Sequence, residues 1–102
     1  MDKKLEALEE KYASLAERLE STAIMSDMAA YAKCMKEYKA LTPIIDKYHE
    51  YKAALADLGD AEEIAAETDD AEMRSLAQEQ AAQSRASIDR CLGGLKVLLL
   101  PR

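Results

Sequence analysis

The chain has 102 residues and a formal net charge of −6, so it has room for one domain and lacks the excess of basic residues that nucleic-acid binding requires. Aromatic residues are scarce, with five Tyr and neither Phe nor Trp, and there are only three Gly and two Pro. An apolar share of 49% with 33% charged residues is typical of helices packed on helices. The composition therefore predicts an all-α domain.

The N-terminal sequence and the cysteines indicate the compartment. The start MDKKLEALEEKY is charged throughout and lacks the apolar core of a signal peptide. No window approaches the ~18–20 apolar residues of a membrane span, so we expect a cytoplasmic protein that makes no membrane contact. Cys34 and Cys91 are predicted to be small buried hydrophobic residues, with a disulfide between them as the open alternative. Because His49 is the only histidine, we expect no metal site.

The first predicted helix has a narrow apolar stripe whose members are spaced alternately three and four residues apart. They are Leu5, Leu8, Tyr12, Leu15 and Leu19. Asp2 is its predicted N-cap. The sequence STAIMSD, residues 21–27, breaks the pattern, and Asp27 is the predicted N-cap of the next helix.

The second predicted helix contains a proline. Its apolar stripe consists of Tyr31, Cys34, Tyr38, Leu41, Ile45, Tyr48, Leu55 and Leu58. Pro43 could begin a new helix behind Thr42, or it could kink a continuous one. The stripe keeps its phase from Leu41 to Ile45, which favours one long kinked helix over residues 28–67, about 60 Å in length. The tyrosines on the stripe are expected to pack in the core, and His49 is expected at the surface.

The third predicted helix follows the sequence TDDAEM. Asp69, with Glu72 three residues later, resembles a capping box. The apolar stripe of this helix consists of Met73, Leu76, Ala77, Gln80, Ala81, Ser84, Ile88, Cys91, Leu92 and Leu95. Gly93-Gly94 is where we expect the helix to fray or end.

Short connections make neighbouring helices antiparallel. The third helix is expected to run back along the second, while the first covers the other end of the second. We therefore predict an antiparallel three-helix bundle at one end and a two-helix arm at the other, with the turn at residues 67–71 as the tip of the arm.

The predicted arm is acidic, because no Lys or Arg occurs between Lys52 and Arg74. Such a run is often plain solvated surface, and acids at the start of a helix stabilise it by ~0.3–1 kcal/mol each. Alternatively, the run is a docking surface for a basic protein. The candidate docking residues are Asp57, Asp60, Glu62, Glu63, Glu67, Asp69 and Asp70.

No catalytic, cofactor-binding or metal-binding residues are predicted. His49 is the only candidate base besides the carboxylates, and Gly93-Gly94 lacks the spacing of a phosphate-binding loop. The alternative enzyme is an all-helical chorismate mutase, which has a similar length and a three-helix plan. By analogy it needs several Arg and Lys around a dicarboxylate. Arg18 and Arg85 could meet, but a complete cationic site is hard to assemble from this sequence.

Four segments resemble, in order, the N-terminal domain of bacterial class I peptide chain release factors of the release factor 1 type. They are MDKKLEALEEKYASLAERL, YAKCMKEYKALTPIIDKYHEYKAALADL, DDAEMRSLAQEQ and LKVLLLP. The chain departs from the family at Gly93-Gly94, where charged residues are common, and at Ala71, where Pro is common. The resemblance implies a helical N-terminal domain at residues 1–97. It also implies that residues 98–102 begin a linker to a next domain, so that the chain is part of a longer protein.

The resemblance further implies a role in translation termination. Full-length members direct peptidyl-tRNA hydrolysis at UAA and UAG codons, with decoding and Gly-Gly-Gln regions that this sequence lacks. It implies ribosomal docking near the stalk base and the GTPase-associated centre, and contact with the glutamine methyltransferase. The separated domain could also form a homodimer. The alternative from a different class is a stand-alone helical adaptor or scaffold.

Overall fold

The computed structural model describes residues 2–101, which form four α-helices and contain no strand. The helices are α1 (Asp2–Leu19), α2 (Thr22–Met25), α3 (Met28–Glu67) and α4 (Ala71–Leu98). The all-α prediction is confirmed. Arg102, the end of the predicted linker segment, lies outside the described residues, as does Met1. Within residues 2–101, no helix is both long enough and apolar enough to cross a membrane.

The chain divides into two compact units, with the boundary between Asp46 and Lys47. This boundary falls inside α3, so α3 contributes its first half to one unit and its second half to the other. The three-helix bundle with its arm stays a prediction, and so does the division into residues 1–97 and 98–102.

In the first unit, α1 packs against the first half of α3. A buried cluster of Leu15, Ile24 and Cys34 is covered at its edges by Leu19, Ala30, Tyr38 and Leu41. Tyr12 stacks on Tyr38 with ring centroids 4.3 Å apart. Because Tyr12 contacts Tyr38 while the later Leu15 packs with the earlier Cys34, the two helices run antiparallel. The apolar stripe predicted for α1 therefore faces its helical partner.

The connection between α1 and α3 contains a helix that the sequence did not predict. Residues Thr22–Met25 form the single turn α2, and Ser21 caps it by accepting a hydrogen bond from the Ile24 N–H at 3.4 Å. The prediction that Asp27 caps the next helix is confirmed, since Asp27 Oδ1 accepts a hydrogen bond from the Ala30 N–H at 3.1 Å. Asp2 is not a cap, because α1 already includes it. As an acid in the first turn it interacts favourably with the helix dipole.

The long helix across the proline is confirmed, because α3 is continuous from Met28 to Glu67 with Pro43 inside it. Pro43 has no N–H to donate to the carbonyl of the preceding turn. Next to it, Thr42 Oγ1 donates a hydrogen bond to the Tyr38 carbonyl at 2.9 Å. Two residues of the predicted stripe are exposed instead of buried, Tyr31 and Leu55. Ala54, which was not predicted to be on the stripe, is buried.

In the second unit, α4 packs antiparallel to the second half of α3. Gly94 of α4 lies against the Lys47 side chain of α3, and Arg85 of α4 pairs with Glu62 of α3. Because Arg85 precedes Gly94 while Glu62 follows Lys47, the two helices run in opposite directions. Most buried positions of this unit hold small residues, namely Ala54, Ala61, Ala77, Ala81 and Cys91, and the others hold Tyr48 and Leu95. Small side chains let two helices pack closely, but they cover little of each helix.

The ends of α4 differ from the prediction at both sides. Its N-cap is Asp70, not Asp69. The helix does not end at Gly93-Gly94 but continues to Leu98. Neither glycine has a positive φ, so both adopt the ordinary helical backbone. The predicted fraying is therefore wrong: the helix absorbs the conformational cost of two glycines, about 1 kcal/mol each relative to Ala.

Candidate docking surface

The turn between α3 and α4 is held by local hydrogen bonds. The Asp70 N–H donates to Thr68 Oγ1 at 3.1 Å, and Arg74 Nη2 donates to the Thr68 carbonyl at 2.8 Å. Asp70 Oδ1 accepts hydrogen bonds from the N–H groups of Glu72 and Met73 at 2.9 and 3.5 Å. One predicted docking residue, Asp70, is therefore occupied as a helix cap, while Asp69 is exposed.

The seven predicted docking residues are all exposed, but they do not form one continuous surface. Asp57 and Asp60 line an open groove of about 520 Å³ between α3 and α4, opposite Gln80 and Gln83. At about 100° per residue, Glu67 lies on the same side of α3 as Asp60, seven residues earlier. The structure thus brings three of the predicted acids to one side of the helix pair.

Glu62 belongs to the opposite side. It lines a second groove, of about 340 Å³, with Gln78 and Arg85. Its Oε2 lies 3.4 Å from Arg85 Nη2 in an exposed ion pair. Glu62 follows Asp57 by five residues, so the two side chains are about 140° apart around the axis of α3. The acidic run predicted from the sequence as one surface is therefore divided between two sides, and Arg85 accompanies the side of Glu62.

Exposed apolar side chains accompany Asp57 and Asp60. Ile64 lines the same groove and is 43% exposed. On α4, Met73 and Leu76 precede Gln80 by seven and four residues, which places them on the groove side of α4, and they are 51% and 57% exposed. The sequence stripe predicted that Met73 and Leu76 face α3, and this is wrong. The seven-residue spacing of Asp57 and Ile64 is a signal that could have predicted their shared side.

Basic residues lie at the end of the groove farther from the turn. Arg90 and Lys47 line a neighbouring hollow that also includes Asp57. The Lys47 Nζ is 2.8 Å from Glu50 Oε2. This hydrogen bond, and then the charge of Glu50, raise the pKa of Lys47. Arg90 donates a hydrogen bond to Ser87 Oγ at 3.0 Å. The groove is therefore acidic from Asp57 toward the turn and of mixed charge beyond it.

Among residues 2–101, no three His, Cys, Asp or Glu side chains are grouped so that they could hold a metal ion. Cys34 and Cys91 are buried and have free thiols, as the first of the two alternatives predicted, so the disulfide is absent. His49 is exposed, also as predicted.

The arginines that a chorismate mutase would need do not gather in the second unit. Arg74, Arg85 and Arg90 contact three separate partners on the turn, on α3 and on α4. Arg18 belongs to the first unit. The three arginines of the second unit therefore do not share a partner.

Comparison with known proteins gives the family. Residues 8–102 match the model of the family described as the PCRF domain. The chain belongs to the PCRF domain family. The predicted resemblance to release factors of the release factor 1 type is confirmed, since this PCRF domain is similar to curated proteins named peptide chain release factor 1.

Three of these relatives illustrate how much of each protein is covered. The protein from Clostridioides difficile (strain 630) is 36% identical over 100% of this chain and 29% of its own length. Those from Alkaliphilus oremlandii (strain OhILAs) and Amoebophilus asiaticus (strain 5a2) are 40% and 38% identical over 97% of this chain and 28% of their own lengths. This PCRF domain thus spans less than a third of the relatives that it matches. No solved structure matches it.

Proposed function

We propose that the chain is the N-terminal docking domain of a peptide chain release factor 1 that acts in translation termination in the cytoplasm. The observation that carries this proposal is the match of residues 8–102 to the PCRF domain, together with relatives of that name along the whole chain. In this proposal the full-length protein directs peptidyl-tRNA hydrolysis at UAA and UAG codons. The present residues supply no catalytic group and serve to position the factor.

The proposed partners are proteins at the ribosomal stalk base and GTPase-associated centre, and the methyltransferase that modifies the Gly-Gly-Gln glutamine. The acidic residues of α3 and the turn support a basic protein as the partner, because complementary charge speeds encounter and disfavours wrong partners. The candidate docking residues are all exposed, although Asp70 also caps α4 and Glu62 also pairs with Arg85.

The proposal is tested first by the reading frame. The codons after Arg102 are expected to continue into a region that encodes the Gly-Gly-Gln motif. A stop codon directly after Arg102 would overturn the proposal and favour a stand-alone helical adaptor.

The docking role is tested in the full-length protein. Changing Asp57, Asp60, Glu62 and Glu63 together to Asn or Gln is expected to weaken binding to ribosomes or to the methyltransferase several-fold at low salt. Cosedimentation with ribosomes and a pull-down with the methyltransferase measure this. Unchanged binding to both at low salt contradicts a docking role for the acidic residues.

A further inference from the structure

The second unit has an exposed apolar patch beside the turn. Ile64 on α3 and Met73 and Leu76 on α4 are all more than two-fifths exposed. Helix geometry places the three on the side of α3 and α4 that also carries Asp57 and Asp60. We call this side, with these five residues, the groove face. An apolar patch bordered by charges of one sign is typical of a surface that a protein partner covers.

We propose that the groove face binds a basic amphipathic α-helix of a protein partner, in a deepening of the proposed docking function. The apolar side of that helix would cover Ile64, Met73 and Leu76, and its Lys or Arg residues would lie against Asp57 and Asp60. Recognition of this kind uses apolar anchors spaced three, four and seven residues apart, which a groove between two helices accommodates.

Charge identifies this partner and excludes a nucleic acid. The cationic residues of α4 near the turn, Arg74 and Arg85, are each rotated by more than 100° from Gln80 on the groove face. Arg85 pairs with Glu62, and Arg74 contacts the Thr68 carbonyl. Arg74 and Arg85 therefore do not neutralise Asp57 and Asp60 on the groove face. The negative charge of these two aspartates attracts a basic helix and repels phosphate.

The dimensions of the groove face fit a short helix. From Met73 to Ser87, which lines the same groove, α4 advances by about 21 Å at 1.5 Å per residue. A bound helix of about 14 residues has the same length. Lys47 and Arg90 lie at the end of the groove farther from the turn. We therefore expect a helix with an acidic residue near these two bases to bind better than a helix that is basic along its whole length.

The test uses the 102-residue chain and a fluorescent peptide of about 14 residues made of Leu and Lys, with Leu at helical i, i+3, i+4 and i+7 positions. A scrambled peptide of the same composition is the matched control. Fluorescence anisotropy measures the dissociation constant at about 50 mM salt, where the screening of exposed charges is still moderate. The amphipathic peptide is expected to bind, and the scrambled peptide at least about tenfold more weakly.

Variants locate the site. Asp57→Asn with Asp60→Asn, and separately Met73→Gln with Leu76→Gln, are each expected to weaken peptide binding by about five- to tenfold. The control for charge is Glu79→Gln with Asp89→Asn, two exposed acids of α4 that are rotated about 100° and 180° from Gln80. The control for apolar surface is Leu55→Gln, since Leu55 is 43% exposed but rotated about 160° from Asp57. Neither control is expected to weaken binding by more than about twofold.

Three results would overturn the proposal: no binding of the amphipathic peptide, equal binding of the scrambled peptide, or equal losses in the control variants. Because every substituted residue is exposed, circular dichroism is expected to show unchanged helix content. The proposed role in termination is tested separately, by the reading frame after Arg102. A negative peptide experiment therefore contradicts only the proposed helix binding at the groove face and does not affect the proposed role in termination.

Discussion

Asp69 and Asp70 are neighbours in the sequence, but only Asp70 contacts the backbone of α4. Asp70 has the extended backbone of an N-cap, with φ −86° and ψ 118°, and its Oδ1 accepts hydrogen bonds from two N–H groups of the first turn. Asp69 contributes an exposed charge. At the scale of single residues, the acidic turn therefore combines a structural acid with acids that are accessible to a partner.

The cap can be tested by comparing these two aspartates. Asp70→Ala is expected to lower the free energy of unfolding by about 1 kcal/mol, because the N–H groups of Glu72 and Met73 lose their acceptor. Asp69→Ala removes the same charge without removing the cap and is expected to change stability by less than about 0.5 kcal/mol. Urea unfolding followed by circular dichroism measures both. Equal effects would mean that charge at the helix start matters and the cap does not.

Thr42 links α1 to α3 in the first unit. Its hydroxyl hydrogen is donated to the Tyr38 carbonyl at 2.9 Å, so the Tyr12 hydroxyl, 2.9 Å from Thr42 Oγ1, must be the donor in that contact. Thr42→Val keeps the shape and loses both hydrogen bonds, and it is expected to destabilise the chain by about 1–2 kcal/mol.

Thr42→Ser is the matched control for this contact. It keeps the hydroxyl and is expected to retain most of the stability, apart from a small loss for the missing methyl group. Thermal unfolding of both variants compares them. If Thr42→Ser is less stable than Thr42→Val, the packing of the methyl group, and not the hydrogen-bond chain from Tyr12 to Tyr38, joins the helices.

At the scale of the helices, Gly59 lowers the stability of α3 although the surrounding packing leaves room for a side chain. Gly59 has nothing within 4 Å of the position where a Cβ would lie. Gly59→Ala is therefore expected to stabilise the chain by about 0.5–1 kcal/mol, by restricting the unfolded backbone.

Gly94→Ala is the informative comparison for Gly59. Its Cβ would meet the Lys47 side chain at 3.4 Å, an ordinary contact with a flexible group. A gain of similar size is expected in urea unfolding. A loss in Gly94→Ala alone would show that Lys47 cannot move aside, whereas a loss in Gly59→Ala would contradict the helical propensity argument.

The helices that were predicted correctly are those with long periodic patterns. The stripe that keeps its phase from Leu41 to Ile45 predicted that α3 continues through Pro43. Four residues are too few to show a period, so α2 was missed even though Ile24 is buried in it. Periodicity also cannot say how much of a stripe one neighbour covers. Met73 lies in the first turn of α4, and Leu76 is turned about 100° from the buried Ala77.

The acidic site was predicted only in part, for the same geometric reason. A run of acids with no intervening base is visible in the sequence, and all seven predicted residues are exposed. Their division into two sides depends on the 100° step of α3 combined with the position of α4. The ion pair between Glu62 and Arg85 joins residues 23 apart, so no local pattern reveals it. The sequence therefore predicted that the segment is acidic, and the structure was needed to show on which side of the helix pair each acid lies.

For the whole molecule, the charge distribution separates a protein partner from RNA. The net charge is −6, and the first 52 residues carry nearly equal numbers of acids and bases. The chain is therefore expected to bind no single-stranded RNA at about 0.1 M salt, because few counterions would be released. Electrophoretic mobility shift with a labelled RNA measures this.

Reversing the charge of four exposed acids on α3 provides the control. Each exchange to Lys adds two units of charge, so changing Asp57, Asp60, Glu63 and Glu67 takes the net charge from −6 to about +2. This variant is expected to bind the RNA with an affinity that falls steeply as salt increases, because its new Lys residues release counterions from the phosphates. RNA binding by the unchanged chain with the same salt dependence would contradict the assignment of these acids to a basic protein partner, since the same surface cannot favour phosphate and Lys alike.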